Sequence, residues 1–193
     1  MQLKKIVILG PESTGKSTLC AQLAAHYKSS WVPEYARTYL QGTGNTYEFG
    51  DLWEIAKGQK LGEENAVKNY LMMHPPAAGQ NAYPLFIDTD LYVVKIWSEI
   101  SFNKCDNRIL TSISQTKQDL YLLCDTDLPW AADPLREYPD LDMRQKIYQF
   151  YLDAMVNQHV PWVNISGGYD ERLQKAIESI DDFLNAGTAF NRI

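Results

Sequence analysis

The sequence has few of the residues that build disulfide frameworks and metal clusters. Only three cysteines and three histidines occur among its 193 residues. Cys20, Cys105 and Cys124 form no Cys-x-x-Cys pair, and neither they nor the histidines have the spacing of metal ligands. Cys20 and Cys124 lie in apolar patterns, so we expect them to be buried free thiols. A disulfide scaffold and a zinc-binding module are therefore poor interpretations of this chain.

Long apolar runs and basic clusters are also missing. No window approaches the ~20 consecutive apolar residues of a membrane-spanning helix. The apolar run at 6–9 is shorter than the core of a secretory signal, and no small-residue cleavage site follows it. The formal net charge is −6, which disfavours binding to nucleic acid. We expect a cytoplasmic protein that binds neither membrane nor nucleic acid, so that any affinity for phosphate comes from a local site.

The elements predicted along the chain alternate between strand and helix. The 45% of hydrophobic residues suffices for a core, and the length fits a single domain over residues 1–193. Short β-branched runs predict strands at 4–9, 30–32, 84–87, 119–124 and 160–165. Helical spacing predicts helices at 16–27, 48–73, 91–100, 143–157 and 169–184. This order is typical of an α/β three-layer sandwich, a five-stranded parallel sheet with helices on both faces.

Three segments are predicted as loops or as a tail. Residues 74–84 and 125–140 are rich in proline and polar residues, and the chain ends in a loosely held tail at 187–193. We expect the second loop to act as a lid at about 126–142, named the lid segment below.

Residues 10–17, with the sequence GPESTGKS, match the pattern GxxxxGK[ST] of a phosphate-binding P-loop. In such a loop the backbone N–H groups surround phosphate oxygens, Lys16 binds the β- and γ-phosphates, and the Ser17 hydroxyl suits Mg²⁺. The pattern predicts ATP and Mg²⁺ as cofactors. The candidate nucleotide-binding residues are Gly10, Glu12, Ser13, Thr14, Gly15, Lys16, Ser17 and Thr18. The alternative is a structural glycine-rich turn, but a predicted strand precedes the loop and a helix follows it.

Two aspartates follow the predicted third strand. Asp88 closes an apolar run, as the acid of a Walker-B motif does, and we expect it to hold Mg²⁺ through the water shell of the ion. Asp90 is either a partner in this task or the N-cap of the next helix.

Glu34 ends the predicted second strand and is a candidate for general base towards a substrate hydroxyl. It could also orient that hydroxyl without removing its proton, because phosphoryl transfer depends mainly on positioning and charge. A third interpretation is a surface acid that pairs with Arg37, one helical turn later.

The lid segment contains Arg136, which is either a cation that closes over the ATP phosphates or a solvated surface arginine. Trp130 in the same segment either packs at the base of the lid or stacks on a substrate ring. After the fifth strand, Gly168 and Tyr169 either approach the adenine or form a simple turn before the last helix.

The polar candidates fall where predicted strands end, and ligands of doubly wound sheets bind beyond the carboxyl ends of the strands. Gly10, Glu34, Asp88, Asp125 and Ser166 follow the five strands in that order. We therefore expect one site to use them together.

Four segments in this order, GPESTGKSTL, PEYAR, FIDTD and LPWAADPLRE, resemble the ribosylnicotinamide kinase domain of NadR-type proteins. The resemblance runs from Ile6 to about Leu173. It implies a nucleoside-kinase-like P-loop fold with a lid, and a reaction in which ATP and nicotinamide riboside give ADP and nicotinamide mononucleotide. NadR-type proteins usually carry an adenylyltransferase domain before the kinase, whereas the P-loop here begins at residue 10. We therefore expect a protein that stops at the mononucleotide.

Carried to this chain, the resemblance implies Glu34 near the ribose 5′-hydroxyl, Asp88 beside Mg²⁺ and Arg136 in the lid. Arg37 and Asp90 would belong to the substrate side of the pocket. The aromatic candidates for a cationic nicotinamide ring are Tyr35, Tyr39, Trp53 and Trp97. The alternatives are a kinase of another nucleoside or small alcohol, and a regulatory P-loop ATPase whose turnover needs no acceptor.

Overall fold

A parallel sheet of five strands forms the centre of the computed structural model, which describes residues 2–73 and 82–186. The strands are β1 (Leu3–Leu9), β2 (Trp31–Val32), β3 (Tyr83–Asp88), β4 (Leu120–Cys124) and β5 (Trp162–Ile165). Their order in the sheet is β2-β3-β1-β4-β5. The predicted α/β class and five-stranded parallel sheet are confirmed.

The central strand β1 pairs with β3 on one side and with β4 on the other. Its Ile8 lies opposite Asp88 of β3, and its Leu9 lies opposite Leu123 of β4. Because all strands run in one direction, the residues that follow them meet at one edge of the sheet. The P-loop therefore begins directly beside Asp88.

Seven helices are described. They are α1 (Lys16–His26), α2 (Tyr35–Gly42), α3 (Asp51–Met73), α4 (Leu91–Phe102), α5 (Asn107–Gln115), α6 (Leu141–Asn157) and α7 (Tyr169–Ala186).

Helices cover both faces of the sheet, as the alternation of β1 requires. Ile6 and Ile8 pack with buried residues of α1 and α7 on one face. Val7 and Leu9 pack on the other face with α4 and α6, and α3 adds partly buried residues there. A third apolar cluster joins α3, α4 and α5.

Helices α2 and α5 were not predicted, because both are short, with eight and nine residues. The short α2 buries only Leu40 and ends at Gly42. The α5 sequence NRILTSISQ is rich in β-branched residues and serine, which lowers its helix propensity. Its N-cap Asp106, which accepts a hydrogen bond from the backbone N–H of Arg108 at 2.8 Å, stabilises its first turn.

Several predicted boundaries shift by one to three residues in the structure. The third strand starts at Tyr83, inside the predicted loop at 74–84, and the fifth is the shorter Trp162–Ile165. Residues 74–81 of that loop and the predicted tail at 187–193 lie outside the described residues. Cys20 and Cys124 are buried free thiols, as expected. Within the described ranges, no helix is both long enough and apolar enough to span a bilayer.

Gly58 in α3 offers a test of how α2 is held. A Cβ atom at this position would lie 2.0 Å from Cε1 of Tyr35, the first residue of α2. Helix propensity alone would make Gly58→Ala stabilising by roughly 1 kcal/mol. We expect it instead to lower the free energy of unfolding by about 1–3 kcal/mol, because the Tyr35 ring must move.

The matched control is Gly42→Ala at the end of α2, where a Cβ would have no neighbour within 4 Å. Urea denaturation of both variants measures the difference. Equal stability of the two would show that Tyr35 does not depend on the space above Gly58.

Candidate active site

The P-loop between β1 and α1 takes a backbone path that requires its two glycines. Gly10 has φ +137°, and a Cβ there would lie 2.6 Å from the carbonyl oxygen of Cys124. Gly15 has φ +78°, and a Cβ there would lie 2.9 Å from Cδ1 of Leu128. The loop therefore closes tightly against the ends of β4 and the segment after it, as a phosphate-binding loop must.

The N-terminus of α1 is directed into this loop. Its N-cap is Gly15, no side chain of the described residues caps it, and its first turn holds no acidic residue. Its first N–H groups and the positive end of its dipole therefore suit an anion. Lys16 Nζ and Thr14 Oγ1 both donate to the carbonyl oxygen of Pro11, at 2.7 and 2.8 Å. The cation of Lys16 is thus held over the loop.

Asp88 lies at the end of β3, and its carboxyl group is buried. It is 1% exposed, and its Oδ1 has no hydrogen-bond partner within the part of the chain that the structure describes. Burial, and next the negative charge of Glu34, raise the pKa of Asp88 from an ordinary 3.8 to about 6. A hydrogen bond from Ser17 and the charges of Lys16 and Arg37 oppose this shift.

A magnesium ion with its water shell fits these residues. A buried carboxylate oxygen without a partner is costly unless a cation or its bound water satisfies it. Ser17 supplies a hydroxyl oxygen beside Asp88, and Mg²⁺ is usually bound by one or two protein oxygens together with substrate phosphates. Among residues 2–73 and 82–186, no group of three or more His, Cys, Asp or Glu forms a metal cluster. An Mg²⁺ site with one or two protein oxygens does not need such a cluster.

Glu34 and Arg37 form an ion pair at the start of α2. Arg37 Nε lies 3.3 Å from Glu34 Oε2, and Arg37 Nη1 lies 2.9 Å from Oδ2 of Asp133 in the lid segment. The pairing with Arg37 that the spacing allowed is therefore present. It does not remove Glu34 from the site, because both residues line a cavity that begins at the P-loop, named the main cavity below.

Two P-loop side chains bind the backbone of the lid segment. Glu12 Oε2 accepts hydrogen bonds from the N–H groups of Glu137 and Tyr138, at 2.9 and 3.0 Å. Ser13 Oγ accepts from the N–H of Ala131 at 2.8 Å. Burial raises the pKa of Glu12, while the two lid N–H groups lower it. Glu12 and Ser13, predicted as nucleotide contacts, thus also join the lid segment to the loop.

Arg136 lies over the P-loop with its Nη1 3.4 Å from Ser13 Oγ, and it also donates to the carbonyl oxygen of Ala131. Its guanidinium Cζ is 5.8 Å from the ring centre of Trp130. The buried Arg144 of α6 lies at 5.6 Å from the same ring. Trp130 therefore packs between two arginines at the base of the lid segment. This is the first of the two positions that the sequence left open for it.

On the other side of the loop, Arg172 connects the P-loop to the ends of β4 and β5. It is 2% exposed. It donates to the carbonyl oxygens of Thr14, Gly167 and Asp125, at 2.9, 2.7 and 3.0 Å, and pairs with Asp127. No sequence pattern marked it, because an arginine in the first turn of a helix ordinarily faces solvent.

The predicted adenine-side residues lie beside this connection. The half-exposed Tyr169 ring approaches Gly15, whose Cβ would lie 3.4 Å from Cε1 of Tyr169. The N–H of Gly168 donates to Oε2 of Glu171 at 2.7 Å, as in a turn that starts a helix. Neither residue lines the main cavity.

The main cavity runs from the P-loop to an apolar wall between α2, α4, α6 and the lid segment. Its loop end is formed by residues 10–18 together with Glu34 and Arg37. Its far wall consists of apolar and aromatic side chains: Leu40, Val93, Ile96, Trp97, Ile100, Leu135, Tyr138, Ile147 and Tyr151. An anion-binding loop therefore shares one cavity with a surface suited to a flat organic group.

Of the four aromatic candidates for the nicotinamide ring, one lines the main cavity and three do not. Trp97 lines the cavity, and its Nε1 donates to the hydroxyl of Tyr47 at 2.9 Å. Tyr35 packs over Gly58, Tyr39 donates to Asp51 at 2.6 Å, and Trp53 contacts Arg108. Tyr138 and Tyr151, which the sequence did not single out, line the cavity instead.

Asp90 is the N-cap of α4, is 2% exposed and does not line the main cavity. Its Oδ1 accepts from the N–H of Tyr92 at 2.9 Å, and its Oδ2 accepts from the hydroxyl of Tyr121 at 3.0 Å. The N-cap that the sequence left open is therefore present, and both carboxylate oxygens have partners inside the protein.

The sheet order and the loop at the end of its central strand define a P-loop nucleotide-binding protein. A family model described as an AAA domain matches residues 5–172, and the chain belongs to that family.

Relatives and solved structures of known name are similar to the chain. The trifunctional NAD biosynthesis/regulator protein NadR of Salmonella typhimurium is 26% identical over 187 residues, which is 94% of this chain and 43% of that protein. The Escherichia coli protein of the same name matches equally. The chain thus spans less than half the length of these relatives.

Many solved structures share the fold, among them two NadR structures and a thymidylate kinase. A NadR protein in complex with NR superposes with a TM-score of 0.73 at 21% identity, and one with NAD and AMP-PNP with 0.70 at 20%. Each match covers 98% of this chain and 51% of the other. The thymidylate kinase from Ehrlichia chaffeensis matches with a TM-score of 0.66 at 10% identity, over 93% of this chain and all of its own.

Asp90→Asn separates a structural from a substrate-binding role. Burial, and then the charge of Glu63, raise the pKa of Asp90 to about 7 from an ordinary 3.8. The folded state therefore resists ionisation of Asp90. The resulting loss of folding free energy is absent below about pH 4, where Asp90 is protonated in both states, and is complete above about pH 7. We expect Asp90→Asn to raise the free energy of unfolding at pH 8 by about 1–3 kcal/mol and to give no gain near pH 4.

The asparagine can still accept from Tyr92 and can donate to the Tyr121 hydroxyl, so we expect nucleotide binding and turnover close to those of the parent. Denaturation at pH 4 and pH 8, with activity assays at pH 8, measures both effects. A variant that is more stable but inactive would assign Asp90 to the substrate, and one that is less stable at pH 8 would contradict the burial argument.

Proposed function

We propose that this chain is an ATP-dependent kinase that transfers the γ-phosphoryl group to the 5′-hydroxyl of nicotinamide riboside. The observation that carries the proposal is the shared cavity, in which the P-loop, Glu34 and Arg37 adjoin an aromatic wall. A regulatory ATPase needs the loop but has no need of an acceptor pocket beside it. The similarity to NadR proteins, one of them solved with NR, supports the choice of acceptor.

In this proposal the P-loop binds the phosphates of ATP. The N–H groups of the loop and of the first turn of α1 surround the β- and γ-phosphates, and Lys16 leaves the carbonyl of Pro11 to bind them. Tyr169, which approaches Gly15, is proposed to lie on the adenine side of the nucleotide.

Ser17 and Asp88 would hold Mg²⁺, Ser17 directly and Asp88 through bound water. When bound, the ion neutralises charge on the phosphate oxygens during transfer. Asp88 must be ionised for this role, and its pKa of about 6 leaves it so at pH 7 and above.

Glu34 is proposed to orient the acceptor hydroxyl or to accept its proton. The hydroxyl oxygen forms a bond to the γ-phosphorus, the bond from this phosphorus to the β,γ-bridging oxygen breaks, and ADP leaves. The proton passes to Glu34 or to water. The ion pair with Arg37 fixes the direction of the Glu34 carboxylate.

The lid segment is proposed to exclude water and to bring Arg136 to the γ-phosphate. Arg136 already lies near the P-loop through Ser13, and Glu12 holds the neighbouring lid backbone. Closing the site in this way would protect the phosphoryl group from hydrolysis and would stabilise charge in the transition state.

The far wall of the cavity is proposed to receive the nicotinamide ring. A pyridinium carries a positive charge, which aromatic faces attract. Trp97, Tyr138 and Tyr151 supply such faces, and Glu137 adds a carboxylate to the same cavity. A neutral nucleoside would gain less from this combination.

The test is ADP release from ATP and Mg²⁺ with and without nicotinamide riboside, beside a panel of adenosine, uridine, cytidine and thymidine. We expect release to depend on nicotinamide riboside and the mononucleotide to be the product. Lys16→Ala should abolish turnover, which controls for contaminating kinases. Glu34→Gln should lower kcat by roughly 10²–10⁴-fold if Glu34 accepts the proton, with the KM for ATP nearly unchanged.

The other outcomes point to specific alternatives. Turnover only with another nucleoside or a small alcohol would keep the kinase and replace its acceptor. Equal ADP release with no acceptor would favour a regulatory ATPase and would leave Glu34 without its proposed role.

A further inference from the structure

Gln59 of α3 is a buried amide that bonds to two separate turns of the chain. It is 2% exposed and does not line the main cavity. Its Oε1 accepts from the N–H of Tyr35 at 2.8 Å, and its Nε2 donates to the carbonyl oxygen of Thr89 at 3.0 Å. One partner can only donate and the other can only accept, so the orientation of the amide is determined.

Both partners are immediate neighbours of the two carboxylates in the proposed mechanism. Tyr35 follows Glu34, and Thr89 follows Asp88. A single side chain therefore joins the turn that carries Glu34 to the turn that carries Asp88. The charge of Glu34 acts on Asp88, so their separation matters to the site.

Sheet pairing alone does not fix this separation. The strand before Glu34 is β2, which has two residues and pairs with Phe86 and Ile87 only. On the other turn, Thr89 has φ +68°, a left-handed conformation that costs a non-glycine residue about 1–2 kcal/mol. Its N–H is held by the carbonyl of Ile8 at 3.0 Å, and its carbonyl is held by Gln59.

We infer that Gln59 is a positioning residue that sets the distance and direction between Glu34 and Asp88. It acts through the two backbone turns and touches neither substrate nor metal. The inference rests on the proposed function for the roles of the two carboxylates.

The first test is Gln59→Met, which keeps the length of the side chain but removes both hydrogen bonds. We expect kcat with nicotinamide riboside to fall by roughly 10–100-fold, because small misplacements of reacting groups are costly. The affinity for AMP-PNP without Mg²⁺ should change little, since Gln59 has no contact with the P-loop among its hydrogen bonds.

Gln118→Met is the matched control. Gln118 is also a buried amide, and it donates to Glu63 at 3.1 Å, away from both turns. We expect Gln118→Met to lower the free energy of unfolding about as much as Gln59→Met does, while its kcat with nicotinamide riboside stays that of the parent. Equal losses of kcat in the two variants would reduce Gln59 to an ordinary buried amide and would overturn the inference.

A second variant, Gln59→Glu, gives a pH signature and serves even if the methionine variant fails to fold. Ionised, the new carboxylate still accepts from Tyr35 but repels the carbonyl of Thr89. Protonated, it donates as the glutamine does. Asp88, Asp90 and Glu63 titrate in the parent too, so the measured quantity is the ratio of variant to parent kcat. We expect this ratio to rise as pH falls from 8 to 6, and a flat ratio would contradict the inference.

A binding measurement separates this inference from the proposed function. If Gln59 positions Asp88, the gain in AMP-PNP affinity on adding Mg²⁺ should shrink in Gln59→Met but not in Gln118→Met. This holds even if the parent does not phosphorylate nicotinamide riboside, a result that would overturn the proposed function alone. An unchanged gain in Gln59→Met would overturn the positioning role of Gln59.

Discussion

The pairing of β1 with β3 is the constraint on which the site depends. Ile8 lies opposite Asp88, and the N–H of Thr89 continues the ladder to the carbonyl of Ile8. Because β1 leads directly into the P-loop, this register brings the phosphate-binding N–H groups and the buried carboxylate side by side. A shift by one residue would turn Asp88 to the opposite face of the sheet.

Around that pairing, the protein holds charges that are unfavourable without a ligand. Asp88 is buried with Glu34 nearby, and Lys16 and Arg37 offset only part of the cost. Strain of this kind is commonly retained at functional sites and is compensated elsewhere in the fold. Here Arg172 supports the P-loop from behind, Glu12 ties it to the lid segment, and Gln59 joins the two acidic turns. An acidic protein can therefore present a local site for an anionic nucleotide.

The sequence predicted those parts of the candidate site that depend on chain order. The strand–loop–helix pattern located the P-loop, and residues at strand ends identified Glu34 and Asp88, because a parallel sheet brings such ends together. It did not identify Arg172, Gln59, Tyr138 or Tyr151. Arg172 contacts a carbonyl 158 residues away, and Gln59 looks like an ordinary polar residue of a long helix. Such contacts arise from packing between distant segments, which local patterns do not encode. Of the two options for Asp90, the cap could be recognised only from its hydrogen bonds.

The central claim is that the acceptor hydroxyl lies between Glu34 and the γ-phosphate. The most direct measurement is a crystal structure of this protein with AMP-PNP, Mg²⁺ and nicotinamide riboside. The account predicts the ribose 5′-oxygen within hydrogen-bond distance of Glu34 and in line with the bond from the γ-phosphorus to the bridging nitrogen of AMP-PNP. It also predicts the nicotinamide ring against Trp97, Tyr138 and Tyr151. A riboside whose 5′-oxygen points away from Glu34, or that binds outside this cavity, would contradict it.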